Sequence, residues 1–172
     1  MVLNNQEVAS REITEFLQSS NEKVMLIKGT NDYKKHSLVL KIINENKSLK
    51  RGLFRSNTLE RVSVFFKDAD LEIPHDAGKP AGNTLLVKNK FFSFDSFNKS
   101  TWGKTPFELD FALIYQIELY NKKTNELKEA FINNILEEKS INKIFIVSNV
   151  DDKGDYAWLD RCVNRTIEFN VE

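Results

Sequence analysis

Residues 23–43, KVMLIKGTNDYKKHSLVLKII, join an apolar strand to a helix that opens with basic side chains. The start of a helix attracts anions, because its first backbone N–H groups are unpaired and its dipole is positive there. Lys34, Lys35 and a protonated His36 would add charge of the same sign, and a bound anion would relieve their repulsion. Gly29 stands at the end of the strand, where a tight turn needs glycine. These residue types predict an anion site; the alternative is that both lysines are solvated at an ordinary helix start.

The spacing can be compared with a working phosphate loop, G-x-x-x-x-G-K-[ST], whose glycines admit the phosphates and whose hydroxyl binds Mg²⁺. Gly29 takes the first glycine position and Lys35 the lysine position. Lys34 stands at the second glycine, where a positive φ costs a non-glycine residue roughly 1–2 kcal/mol. His36, at the hydroxyl position, is a poor Mg²⁺ ligand, and Ser37 comes one residue late. The predicted phosphate-binding residues, Gly29, Lys34, Lys35, His36 and Ser37, therefore lack a Mg²⁺ anchor.

Two further segments resemble parts of P-loop ATPases. The stretch SREITEFLQSSNEKVMLIKG resembles the entry to STAND-type and archaeal-type P-loop ATPases, in which an Arg-Glu pair begins the helix before the phosphate-loop strand. Arg11 and Glu12 match that pair. The stretch KIFIVSNVDD resembles the sensor strand of AAA+ and helicase-loader ATPases, which ends in Ser/Thr-Asn, and Ser148 and Asn149 match it. The resemblance implies a P-loop NTPase fold.

The rest of the same core is matched in part. The stretch WLDRCVNRTIEF resembles its last part, with Arg161 or Arg165 in the place of a trans-acting arginine. The strand that should carry the Mg²⁺-binding acid is DFALIYQIE, and here Tyr115 or Gln116 stands where the family has aspartate. Glu118 lies further along and is the candidate second carboxylate. The resemblance thus implies a degenerate member of the AAA+/STAND type.

The departures from the P-loop ATPase pattern affect the expected ability to hydrolyse ATP. A P-loop ATPase holds Mg²⁺ through a hydroxyl after the lysine and an aspartate on the acid strand, and this chain lacks both. Ordinary ATP hydrolysis is not expected. The resemblance implies a non-hydrolysing, ATPase-like domain that acts through protein contacts, in a replication, phage, plasmid or other mobile-element setting. ATP or another nucleotide is the ligand it implies, without Mg²⁺; a weak nucleotide-binding protein is one alternative.

A Mg²⁺-dependent nuclease of the PD-(D/E)xK type is a second alternative. Such enzymes place an aspartate ahead of a strand that carries Glu-x-Lys, so that the acids bind Mg²⁺ and the lysine orients water. Asp95 or Asp110 with Glu126 and Lys128 satisfies this string. The surrounding TNELKEAFINNIL has helical periodicity, however, and would turn the glutamate and the lysine in different directions.

Composition narrows the class of protein. Lys+Arg and Asp+Glu both number 25 in 172 residues, so no bulk positive charge attracts nucleic acid or membranes, although a local patch stays open. Cys162, the single cysteine, cannot form an internal disulfide, and no Cys/His cluster has metal-ligand spacing. The start of the chain lacks the pattern of a signal peptide, and no apolar run is long enough to cross a bilayer. We expect one cytoplasmic domain, residues 1–172, without membrane contact.

Apolar strands alternate with amphipathic helices along most of the chain. The predicted helices cover 5–18, 35–46, 57–66, 122–138 and 156–162, and the predicted strands 24–27, 51–56, 111–117, 143–148 and 165–171. Ser56 or Asn57 can cap the third helix, and Asn57 and Glu60 have the spacing of a capping box. Such alternation predicts an α/β three-layer sandwich, with a mostly parallel sheet between helices.

The stretch 67–106 interrupts this alternation. It contains all three prolines, and TLLVKNKFFSFDSF within it predicts a β-hairpin that turns at Asn89-Lys90. We interpret the stretch as an insertion or an added pair of strands. The aromatic residues of FSFDSFNKSTW are either part of the core or a binding edge, and Phe92, Phe94 and Phe97 do not share one face.

Two features near the C-terminus stay open on the sequence alone. The stretch DDKGD, 151–155, follows a strand and is either a cation site or a solvated turn. Trp158 belongs either to the core or to a surface that anchors a partner. We expect a protein partner or self-association, with nucleic acid as an open alternative.

Overall fold

The computed structural model describes residues 6–29, 35–150 and 154–168. The protein has an α/β fold, in which a mostly parallel sheet of seven strands is flanked by helices, and this predicted class is confirmed. The helices are α1 (Gln6–Gln18), α2 (Lys35–Glu45), α3 (Val62–Lys67) and α4 (Asn125–Asn133). The strands are β1 (Val24–Lys28), β2 (Arg51–Ser56), β3 (Thr84–Val87), β4 (Lys90–Asp95), β5 (Glu108–Tyr115), β6 (Ser140–Val147) and β7 (Arg165–Glu168).

The sheet order is β3-β4-β2-β5-β6-β1-β7, and within the described ranges β3 alone runs antiparallel to its neighbour. Helices α1, α2 and α3 pack on one face, while α4 packs on the other. Strand β5 shows why its sequence is continuously apolar: Phe111 and Leu113 face α1–α3, whereas Ala112 and Ile114 face α4. In the described part of the chain, no helix has the length and apolarity to cross a membrane.

Several element bounds differ from the sequence-based predictions. The third predicted helix begins as a 3₁₀ turn, Leu59–Arg61, before α3, and the residue ahead of that turn, Thr58, makes no side-chain cap. The predicted capping box is therefore wrong. The helix predicted at 122–138 divides into α4, capped by Thr124, and a π-helical turn, Asn134–Glu138. The helix predicted at 156–162 is a single 3₁₀ turn, Ala157–Leu159.

The hairpin turns one residue earlier than predicted. Val87 pairs with Lys90, so Lys88 and Asn89 form the two-residue turn, with φ of 50° and 69°. Positive φ at both central positions is what a type I′ hairpin turn requires, and asparagine tolerates it well. Strand β4 then pairs in parallel with β2, as in Phe54 beside Phe94. The hairpin is thus an added pair of strands that extends the main sheet.

The aromatic residues after the hairpin are mostly core residues. Phe92 and Phe94 pack beneath α3 against Phe66. Phe97 lies on the opposite face, where its ring contacts Tyr120 edge-on. The expectation that these rings do not share one face is confirmed.

Candidate functional site at the carboxyl edge of the sheet

The chain leaves two neighbouring strands, β1 and β6, in opposite directions. The connection after β1 leads to α2 on one face, and the connection after β6 leads to the turn Ala157–Leu159 on the other. The carboxyl ends of strands whose connections diverge in this way are where open α/β sheets place their ligands, and the region between the two connections is called the crevice here. Gly29 follows β1, and Ser148 and Asn149 follow β6. Gly29 and Lys35 of the predicted loop therefore meet the predicted sensor residues at this edge.

Lys35, in the first turn of α2, bridges the two sides of the crevice. Its Nζ donates to the carbonyl oxygen of Gly29 and to that of Asn149, each at 3.3 Å. The side chain is only 2% exposed, so the alternative of a solvated lysine is wrong for this residue. Gly29 has a φ of 133°, a backbone conformation that favours glycine. Lys34, its neighbour in the prediction, lies outside the described residues.

His36 and Ser37 follow Lys35 in the first turn of α2. His36 is buried, and its Nε2 lies 2.9 Å from the Oδ2 of Asp68, which follows α3. Its ring packs against Tyr115, with centroids 4.1 Å apart. His36 thus ties α2 to the end of α3, and the hydroxyl position of a phosphate loop is taken here by a side chain that packs into the core.

Tyr115 ends β5 at the position where the resemblance would place an acid. Its hydroxyl donates to the Oδ1 of Asn149 at 2.7 Å, which fixes the side chain of the sensor-like residue. Burial raises the pKa of Tyr115 well above its ordinary value, and the negative charges of Glu118 and Asp68 raise it further. The phenol therefore stays a neutral donor at physiological pH.

Glu118, the candidate acid, holds the turn after β6. Its carboxylate accepts hydrogen bonds from the backbone N–H of Asn149 at 2.9 Å and of Val150 at 2.8 Å. Gln116, two residues earlier, has a φ of 73°, and its Oε1 accepts from the hydroxyl of Ser56 at the end of β2. Both polar side chains thus fasten neighbouring loops together.

Ser148 has a different environment. Its backbone N–H donates to the carbonyl of Ile27 at 2.9 Å, which continues the pairing of β6 with β1. The residue is 0% exposed, and its Oγ has no hydrogen-bond partner among the described residues. A buried hydroxyl without a partner is uncommon and calls for an explanation such as a bound group.

The predicted arginines pair with glutamates on α4, on α1 and before β1. Arg161 donates to the Oε2 of Glu129 on α4 at 2.7 Å, and both side chains are more than half exposed. Arg165, the first residue of β7, pairs with Glu12 and Glu15 of α1 and with Glu22, which lies between α1 and β1. The contacts found for these two arginines thus lie with α4, with α1 and with the segment before β1, and none of them is with Lys35.

The residues of the nuclease alternative lie apart. Asp95 is buried against Arg55, with Nε–Oδ1 at 2.7 Å, a partnership that the sequence did not indicate. Asp110 lies at the amino end of β5, where its Oδ2 accepts from the backbone of Lys50 and Arg51. Glu126 and Lys128 lie on α4, as their periodicity predicted. Within the described ranges, no group of three His, Cys, Asp or Glu side chains is placed to hold a metal ion.

A cleft of about 520 Å³ opens beside the carboxyl edge, on the α4 face. Its walls come from the segment after β5, from α4 and from the segment that contains Trp158. The lining residues are Glu118, Leu119, Asn121, Lys122, Lys128, Gly154, Asp155 and Trp158. Of the stretch DDKGD, residues 151–153 lie outside the described residues, and Asp155 accepts a hydrogen bond from the backbone of Ala157. Sequence reasoning singled out Trp158 but missed the two lysines.

Comparison with known protein families and curated proteins identifies no relative of this chain. No model of a known protein family matches the chain, and no curated protein matches it significantly. Function must therefore be inferred from the residues of the crevice and the cleft.

Proposed function

We propose that this chain is a degenerate ATPase-like domain of the P-loop type, related to the AAA+ and STAND ATPases, that does not hydrolyse nucleotide and acts through protein contacts. The adjacency of β5, β6 and β1 supports it, because the three strands that the resemblance assigns to the acid, the sensor and the phosphate loop are neighbours. A nucleotide site built from the loops after β1, β5 and β6 requires that these three strands be neighbours.

One observation supports the proposal that the domain does not hydrolyse nucleotide. The polar groups that would face a nucleotide are hydrogen-bonded to one another. Lys35 donates to the carbonyl of Asn149, and Tyr115 donates to its side chain. Glu118 accepts from its backbone N–H. A nucleotide that bound Lys35 and Asn149 would first have to break these hydrogen bonds. An active ATPase site does not impose this cost on its nucleotide.

The residues of the crevice do not fit Mg²⁺. That ion prefers carboxylate, carbonyl and water oxygens in octahedral geometry. Tyr115 presents a neutral phenol at the acid position, and the Glu118 carboxylate is occupied by two backbone N–H groups. His36, at the position of the Mg²⁺-binding hydroxyl, is bonded to Asp68. These residues therefore support no catalytic step through Mg²⁺.

A single-turnover assay tests the proposal, with protein in excess over γ-labelled ATP and with Mg²⁺ present. The expected result is no phosphate release above that of buffer, for wild type and for Lys35→Ala alike. Release that Lys35→Ala abolishes, in a variant that circular dichroism finds folded, would overturn the proposal. The variant Lys35→Met keeps the length of the aliphatic side chain and serves as a second check on folding.

A second candidate is a weak nucleotide-binding protein, and the buried hydroxyl of Ser148, for which the described residues offer no partner, favours it. Thermal unfolding with millimolar ATP, ADP or GTP distinguishes the two. A ligand at about a hundred times its Kd adds roughly 2.7 kcal/mol to the free energy of unfolding, which raises the Tm of a domain this size by several degrees. A rise that is lost in Lys35→Ala and reduced in Ser148→Ala would support nucleotide binding. The absence of a rise would favour the first proposal.

A further inference from the structure

The cleft beside the carboxyl edge, lined by Trp158, Lys122 and Lys128, is called here the Trp158 cleft. Its volume of about 520 Å³ falls within the range of ligand-binding clefts, roughly 300–1,000 Å³. It borders the crevice through Glu118, which holds the turn after β6. The Trp158 cleft is thus a separate concavity on the α4 side.

Trp158 forms a rigid wall of this cleft. Its Nε1 donates to the Oδ1 of Asn121 at 2.7 Å, and its ring stacks on Tyr120, with centroids 5.8 Å apart. The ring also meets Phe131 of α4 edge-on. The side chain stays half-buried. A fixed aromatic ring with one part still accessible is a typical anchor at protein interfaces.

The acids of the cleft are already hydrogen-bonded, whereas its lysines can still bind a ligand. Both oxygens of Glu118 accept backbone N–H groups, and Asp155 accepts the N–H of Ala157. Lys122 and Lys128 have no carboxylate partner among the described residues, and the Nζ of Lys128 lies 5.6 Å from the centre of the Trp158 ring. The charged groups still available to a ligand are therefore the two lysine ammonium groups. These favour a ligand that carries carboxylates.

Apolar side chains flank these lysines. Leu119, in the wall of the cleft, is 44% exposed. Leu127, next to Lys128, is 36% exposed. Leu119 thus adds an exposed apolar contact to a concavity that also contains the two lysines, which marks an interaction site more often than an apolar residue elsewhere on the surface.

We infer that the Trp158 cleft docks a segment of a partner protein in which acidic side chains alternate with aliphatic or aromatic ones. Carboxylates of the segment pair with Lys122 and Lys128, and an apolar side chain packs on Trp158 and Leu119. The inference rests on the proposed function, because it identifies the surface through which the domain makes its protein contacts.

Peptide display on the full chain tests the inference. Random octapeptides are selected on wild type and counter-selected on the charge-reversed variant Lys122→Glu/Lys128→Glu. The enriched peptides are expected to combine Asp or Glu with Leu, Phe or Trp. Synthetic Trp-free members should quench the fluorescence of Trp158 in a Trp102→Phe background, since the chain has 2 tryptophans. Their Kd should rise at least tenfold in the charge-reversed variant.

A matched control is Lys47→Glu/Lys99→Glu, which changes the net charge equally at two exposed lysines away from the cleft. It should leave the Kd unchanged within twofold. Failure to enrich any peptide, enrichment of peptides without acids, or equal binding to the charge-reversed variant would overturn the inference. Quenching of Trp158 by ATP in competition with the peptides would also overturn it, because the cleft would then be a nucleotide site.

The two proposals fail separately. Hydrolysis of ATP that depends on Lys35 would remove the proposed function, whatever the peptides do. Absence of peptide binding together with absence of hydrolysis would leave the proposed function in place and overturn only the assignment of the Trp158 cleft.

Discussion

Polar side chains at the carboxyl edge of the sheet form hydrogen bonds to the neighbouring loops. Lys35, Tyr115 and Glu118 each bond to Asn149, through its backbone carbonyl, its side chain and its backbone N–H. Bonds of this kind contribute about 0.5–1.5 kcal/mol each, and more where a charge takes part. The turn after β6 is therefore held from three directions.

Tyr115→Phe should lower the stability of the protein and change its dependence on pH. Loss of the bond to Asn149 should reduce the free energy of unfolding by about 0.5–1.5 kcal/mol at pH 7. Burial raises the pKa of Tyr115 in the folded state, so its contribution is fully present below the unfolded value of about 10 and is lost as the pH rises above it. Urea denaturation between pH 7 and 11 should show a shallower alkaline loss in the variant. An equally steep loss would contradict this account.

The buried ion pair of Arg55 and Asp95 should be the most sensitive charged site. Both side chains are 0% exposed, and Arg55 also donates to Asn134, while Asp95 also accepts from Thr105. Asp95→Asn leaves a buried guanidinium without its counter-charge, which should lower the free energy of unfolding by about 3–5 kcal/mol.

Urea denaturation measures this loss, with Asp160→Asn at an exposed position as the matched control. The control should change the free energy of unfolding by no more than about 0.5 kcal/mol. A loss below about 1 kcal/mol for Asp95→Asn would mean that the pair is not held as the contacts imply.

At the scale of elements, the pairing of β2 with β5 depends on the absence of a side chain. Gly52 lies opposite Phe111 in the register, and the phenylalanine ring lies across the glycine. A Cβ at this position would be 2.0 Å from the Cζ of Phe111. The ring also packs against Phe92 of β4, so it joins three strands.

Gly52→Ala should therefore destabilise the protein by about 1–3 kcal/mol, the usual effect of overpacking a core. Gly103→Ala is the control, because a Cβ there would meet nothing within 4 Å. Thermal unfolding of the two variants measures the difference. Equal midpoints would contradict the close approach of Phe111.

At the scale of the whole molecule, the sheet combines a protected centre with exposed margins. Strand β5 lies between β2 and β6 and is covered on both faces. Among the described strands, β3 has one neighbour, and Leu86 within it is 58% exposed. The candidate crevice and the Trp158 cleft both lie beside this protected centre.

Amide hydrogen exchange should follow this arrangement. Amides of β5 should exchange only on global unfolding, whereas those of β3 should exchange at least a hundredfold faster, because opening an edge strand exposes less apolar surface. Mass spectrometry of peptic fragments measures both in one experiment. Similar protection in β3 and β5 would show that the hairpin edge is covered in solution.

The sequence by itself determined the class of the fold and most of its strands. Continuous apolar runs such as 111–114 and 144–147 require burial on both faces, and only a sheet between two helical layers provides it. Local patterns were less reliable at Asn57 and at residues 156–162, because capping and short helices depend on contacts that periodicity does not contain.

Only the tertiary structure decided what the polar residues do. The sequence predicted that Lys35, Ser148 and Asn149 belong to related loops, but their proximity follows from the insertion of β6 between β5 and β1. The pairing of Arg55 with Asp95, across 40 residues, left no local signal. Long-range hydrogen bonds depend on strand order, and strand order is set by how all the apolar faces are buried together.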